Sequence, residues 1–185
     1  MESSAAPPAH RTATAILDAA AHVLAADGDA SMADVASAAG VSRATLYRYF
    51  FDRDALVAAV ASHALADAGA RLADAGLDRV PVDEAVRRMV RALLAVGDRY
   101  GVLIRDQVQA EPLEAHRLIG APMDAVFTRG IDEGVLRQDI PAEVLVVYFG
   151  HALLAATKIN EHGHLGLEET SALTASMFLD GARAR

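Results

Sequence analysis

At 185 residues, 53% of them hydrophobic, the chain can bury a core as one large domain or two small ones, which excludes a disordered polypeptide. It holds no cysteine, so disulfide frameworks and thiolate metal centres are excluded, in keeping with a reducing, cytoplasmic setting. A net charge of -8 excludes generic adhesion to nucleic acid or anionic membranes, so any binding to a polyanion must be local.

Abundant alanine, few β-branched runs and no alternating strand pattern predict an all-α fold. Residues 1–9, small, polar and proline-containing, read as a flexible tail without a cationic and apolar export signal. Ile16, Ala20, Val23 and Leu24 repeat at one helical face and predict a first helix ending near Asp27, with Gly28 as a left-handed cap. Ser31, followed three residues later by Asp34, predicts the capped start of a short second helix with Val35 and Ala39 inward. Gly40 permits positive φ at the next corner, Val41 anchors it, and Ser42 caps a third helix that runs through Phe50. Asp52 caps a fourth, longer helix through Leu56, Val60 and His63 toward Leu72, ended by Gly76 and Pro81.

Asp83 and Glu84 open a fifth helix whose buried face is Val86, Val90, Leu93 and Leu94. Its Arg87, Arg88 and Arg91 form a charged outer face, the alternative being an anion site. A short helix is expected over Tyr100 to Gln109, then one ending near Asp132 with a glycine stop at Gly134. Two further helices, from Ala142 to about Asn160 and from Leu167 to about Ala182, flank the sequence EHGHLG. The apolar stretch from Val144 to Ala156 falls short of the roughly 18 residues of a membrane span and reads as a buried helix.

The third helix concentrates chemistry. Its sequence, GVSRATLYRYF with the preceding turn, has two arginines, two tyrosines and no acidic residue. At 100° per residue, with Leu46 and Phe50 facing the core, Ala44 and Arg48 point away from it. Arg43 and Tyr47 then lie along one flank, and Thr45 and Tyr49 along the other. A short helix with long donors at its flanks and a small residue at its outer centre can enter a DNA major groove closely. Arginine suits guanine edges or phosphate, and the hydroxyls suit phosphate. Arg53, at the start of the fourth helix, is expected to reach the backbone beside that groove. The rival reading is a solvated helix face, or a helical small-molecule-binding or protein-interaction module that does not bind DNA. In its favour, the first 56 residues hold four arginines against seven acidic residues.

The stretch MADVASAAGVSRATLYRYFFDRDAL resembles the DNA-binding region of the tetracycline-repressor-like (TetR) family, with its AGVS-type turn, its TLYxxF run and a charged motif ending in AL. Two departures are visible: Ala44 stands where glycine is common, and FFDRDAL replaces a proline-serine-lysine version. The resemblance implies a helix-turn-helix DNA-binding domain over residues 10–56, followed by a helical ligand-binding and dimerisation bundle over residues 57–185, about nine helices in all. It implies operator contacts from Arg43, Ala44, Thr45, Tyr47 and Tyr49, with Arg53 on a phosphate.

A single such unit reads few base pairs, so two copies are expected about one DNA turn (~34 Å) or a multiple apart. The apolar helix from Ala142 and the last helix, with Leu173, Met177 and Phe178, are the expected homodimer surface, as the resemblance also implies. An unknown small-molecule effector is expected among His63, Met89, Leu93, Tyr100, Met123, Phe127, Tyr148 and His151, which mix apolar walls with polar handles. Glu161, His162 and His164 raise a metal site, but a solvated loop is the better reading because no further ligand stands at motif spacing. No nucleophile motif, phosphate-cradling loop or carboxylate pair points to catalysis, and no cofactor is implied. The sequence thus predicts a ligand-responsive transcriptional regulator, a repressor that binds a palindromic operator as a dimer and is released by a small molecule.

Overall fold

The computed structural model describes residues 8–97, 112–161, 163 and 165–184, and these are helical with short connections. Helices α1 (Pro8–Ala26), α2 (Met32–Ala38), α3 (Arg43–Tyr49) and α4 (Arg53–Asp74) follow in order. A 3-10 turn at Leu77–Arg79 leads to α5 (Val82–Leu94). After a gap in the description come α6 (Pro112–Ala115), a π-turn (His116–Gly120), α7 (Ala121–Asp132), α8 (Ala142–Glu161) and α9 (Leu167–Ala182). The helix expected over Tyr100 to Gln109 lies outside the described residues.

The predicted faces are the buried ones. Ile16, Ala20 and Leu24 of α1, Val35 of α2, Leu46 of α3 and Leu56 and Val60 of α4 form one cluster. A second cluster takes Ala64, Ala68 and Leu72 from further along α4, and Val86, Met89, Val90 and Leu93 from α5. Phe127 of α7 and Phe149 of α8 complete it, and Phe178 of α9 packs against both. Their ring centroids are 5.0 to 5.5 Å apart, two of the three pairs meeting edge-on. The single helix α4 therefore belongs to both clusters, its first turns to the three-helix head and the rest to the bundle.

Two local expectations need correction. Gly28 is not in the left-handed region; the glycines at positive φ are 40, 76, 97, 134 and 163. The turn after α1 is instead held by side chains, with the Asp27 carboxylate accepting from the Asp29 amide at 3.0 Å. The helix ending at Asp132 also reaches further back than expected, because the π-turn carries the rod through Pro122. Ala121 N–H donates to the carbonyl of His116, five residues back, and α7 restarts with Pro122 in its first turn, where a missing N–H costs nothing.

The segments Arg53–Arg79 and Ala142–Asn160 are long and apolar enough to cross a membrane by length and composition, which a count of unbroken apolar residues missed in the second. In α8 the apolar excess faces two ways. Leu145, Phe149 and Leu153 enter the core, while Val147 and Tyr148 are exposed.

Candidate nucleic-acid interface

Local chemistry builds the corner that holds α3. Ser31 and Asp34 form a reciprocal capping box: the Ser31 amide donates to the Asp34 carboxylate at 2.9 Å, and the Asp34 amide donates to the Ser31 hydroxyl at 3.3 Å. The Ser31 hydroxyl also donates to that carboxylate at 2.6 Å. These bonds from Ser31, side chain first and backbone second, hold the Asp34 carboxyl below the usual carboxylate range, with a smaller attraction from Arg43. A depressed folded pKa stabilises above the unfolded carboxylate pKa and is lost as pH falls through the folded value. The protection of amides at the start of α2, relative to their intrinsic exchange at each pH, is therefore expected to be flat across neutral pH and to fall only in acid. Asp34→Asn removes that acid dependence, as exchange followed by mass spectrometry would read.

Gly40 then turns the chain at φ 64°, and the Val41 amide bonds the Ala36 carbonyl at 3.0 Å. The Ser42 hydroxyl accepts from the Thr45 amide at 3.1 Å and lies 2.9 Å from the Thr45 hydroxyl. A seven-residue helix is too short to persist alone, so this cap and the burial of Leu46 hold α3 in place.

The side chains on α3 sort as the angular reading expects. Leu46 is fully buried and Phe50 partly so, whereas Arg43, Ala44, Tyr47 and Arg48 are exposed. Thr45 and Tyr49 are half-buried at the flanks. Among the described residues no ion pair engages Arg43 or Arg48; Arg48 instead lies 5.5 Å from the centroid of the Tyr49 ring, which steers its guanidinium. Phe51, just past the helix, is 85% exposed. Arg53 departs from the expectation of a free phosphate donor, because its guanidinium is bonded to the carbonyls of Gly28 and Ala30.

The described effector residues named from sequence do not line one cavity. Met89, Leu93, Met123 and Phe127 are buried core walls, His63 is half-buried on α4, and Tyr148 and His151 are exposed on α8. Tyr100, His162 and His164 lie outside the described residues. Of the basic face on α5, Arg88 donates to Glu84 at 2.9 Å and to the Ala75 carbonyl at 2.9 Å, and Arg91 pairs with Glu168 at 2.8 Å.

A cleft of about 510 Å³ opens elsewhere, between α4, the 3-10 turn, the π-turn and α7. Its walls include Leu72, Leu77, Leu118, Pro122 and Val126, with Asp78, Arg117 and Arg129 as its charged members. The π-turn meets α4 at Gly69, where a Cβ would stand 3.0 Å from that of Leu118. Arg129 Nη2 donates to the carbonyls of Leu77 at 3.0 Å and Val80 at 3.1 Å, fixing the turn that borders the cleft. None of the seven described residues singled out from sequence for an effector lines it.

Comparison with known proteins agrees with this architecture. The family model for bacterial regulatory proteins of the tetR family matches residues 16–60, which span most of the head. The chain is 44% identical over 87 residues to the HTH-type transcriptional repressor LfrR of Mycolicibacterium smegmatis, a match spanning 47% of this chain and 46% of the length of LfrR. It is 28% identical over 159 residues to the HTH-type transcriptional regulator NfxB of Pseudomonas aeruginosa, spanning 83% of this chain and 84% of that one. Among solved structures, LfrR from Mycobacterium smegmatis in complex with proflavine superposes with a TM-score of 0.74 at 27% identity, covering 92% of this chain and 96% of that one. With its capped corner on an all-helical frame, the chain is thus similar in sequence through the head, and in shape along nearly the whole length, to bacterial transcriptional regulators of the tetR family.

Proposed function

We propose that the protein is a cytoplasmic, ligand-responsive transcriptional repressor that binds a palindromic operator as a homodimer and leaves it when a small molecule binds. The observation that carries this reading is α3: capped, free of acidic residues, with Leu46 buried and Arg43, Ala44, Tyr47 and Arg48 exposed. In this reading residues 10–56 are the DNA-binding head and residues 57–185 the body. Arg43 and Arg48 neutralise phosphates or bind guanine edges, Ala44 allows the backbone close to the bases, and the hydroxyls of Thr45, Tyr47 and Tyr49 bond phosphate oxygens. An overall charge of -8 makes this attraction local, so binding depends on docking α3 in the groove and weakens steeply with salt.

Arg43→Ala is expected to lower affinity for the operator duplex roughly 5- to 150-fold, or about 1–3 kcal/mol, per half-site, and to reduce the slope of log affinity against log salt by about 0.9 for each subunit bound. Fluorescence anisotropy across a salt series checks both. Unchanged affinity and slope would remove Arg43 from the interface.

Pairing of two copies through α8 and α9 is supported by their exposed apolar side chains: Val147 and Tyr148 on α8, Leu173 and Met177 on α9. Phe178, grouped with the latter two from sequence, belongs to the core instead. The effector is proposed to occupy the cleft beside Gly69, whose apolar walls and charged residues suit a mostly apolar molecule. The proflavine complex of LfrR makes that compound a sensible first probe. An effector with higher affinity for the arrangement that does not fit DNA, by about 1–3 kcal/mol, lowers operator affinity roughly 5- to 150-fold.

A further inference from the structure

Arg53, the first residue of α4, reaches 25 positions back along the chain. Its Nη2 donates to the carbonyl of Gly28 and its Nε to the carbonyl of Ala30 at 3.2 Å. Both acceptors lie in the loop that turns α1 into α2, where α1 has no basic residue in its last turn and Gly28 offers no left-handed cap. A guanidinium is always charged and holds its donors in a rigid fork, so it can satisfy two carbonyls at once. The surroundings disfavour a second anion. Asp27 and Asp29 bracket Gly28 in sequence, and Asp52 and Asp54 bracket Arg53 itself. A DNA phosphate approaching this guanidinium meets those carboxylates and must compete with carbonyls that already hold it.

We propose that Arg53 is a positioning residue that braces the α1–α2 loop against the first turn of α4 and thereby sets the angle of α3, rather than a contact to a DNA phosphate. The inference rests on the reading of α3 as the DNA-recognition helix. The start of α3 follows directly from α2 and its end runs into α4, so fixing those two elements to each other fixes α3 between them. Gly69, Leu72 and Ala73 on the same continuous α4 line the cleft, so the brace also makes the whole head follow any displacement of α4 that a bound molecule produces.

The test compares full-length wild type with Arg53→Ala, Arg53→Gln and Arg53→Lys in two measurements. Glutamine is informative because its amide nitrogen occupies the chain position of arginine Nε, keeping a donor for Ala30 without a charge. In the first measurement, exchange of the Ala30 amide, which bonds the Asp27 carbonyl, is expected to accelerate roughly tenfold or more in Arg53→Ala and less in Arg53→Gln. In the second, operator affinity falls in Arg53→Ala and is partly restored in Arg53→Gln, while the salt slope of both stays that of wild type. The proposal is overturned if Ala30 exchange is the same in Arg53→Ala and Arg53→Gln as in wild type. It is equally overturned if the slope drops by about 0.9 per bound subunit in both and returns with Arg53→Lys, the signature of a lost phosphate contact. Should the wild-type chain select no duplex at all, the DNA reading fails and the exchange measurement alone decides the brace.

Discussion

Replacing Tyr148 and Met177 together by glutamate is expected to leave the chain folded and monomeric, and to weaken operator binding by about 10²–10⁴-fold. The two side chains are 68% and 70% exposed, so charges there displace nothing from the core of the single chain. In a two-fold pair the same positions lie in or beside the apolar contact, where four new carboxylates lose water and repel one another. Each head alone then binds a half-site without the help of its partner, and the effective concentration that linkage provides disappears. Sedimentation equilibrium reads the mass and anisotropy reads the affinity. A variant that remains dimeric at wild-type affinity would move the interface away from these helices.

The second large effect falls on the head itself. Leu46→Ala is expected to destabilise it by about 2–5 kcal/mol, because the side chain is fully buried and its loss leaves a cavity among Ile16, Val35 and Leu56. That is a large part of the roughly 5–15 kcal/mol that holds a domain together. Head and bundle draw on different clusters, so the loss concentrates in α1 to α3 while α5, α7, α8 and α9 keep their protection. Amide exchange resolves the two regions: rapid exchange across residues 12–50 against a protected bundle is the expected pattern. Uniform loss of protection throughout would mean that α4 ties both clusters into one cooperative unit.

How much of this was legible in the sequence depended on how local the determining contacts are. Ser31 with Asp34, Gly40, and Ser42 with Thr45 are bonded within a few residues, so composition and spacing were enough to predict the corner and the orientation of α3. Buried leucines and phenylalanines at helical period gave the core faces for the same reason. The π-turn was not legible, because its register depends on a distant partner: the missing Cβ of Gly69 admits Leu118, and nothing between residues 112 and 122 announces that contact. The partners of Arg53 lie 23 and 25 positions away, and a basic residue beside a recognition helix reads naturally as a phosphate donor. The residues named from sequence for an effector divide between core and surface for a different reason. An apolar side chain has the same signature whether it fills a core, as Met89 and Phe127 do, or walls a cleft, as Leu72 and Leu118 do. Only packing separates these cases, and packing is a property of the whole fold.

Selection of bound duplexes from a random-sequence library by the full chain tests the central claim most directly. If Leu46 turns inward and so directs Arg43, Ala44, Tyr47 and Arg48 toward the groove in each of two paired subunits, the recovered sequences share an inverted repeat. Its half-sites are then separated by about one helical turn (~34 Å) or a multiple, and each is read by one α3. Recovery of no common motif, or of a single unpaired half-site bound by one chain, would contradict the account.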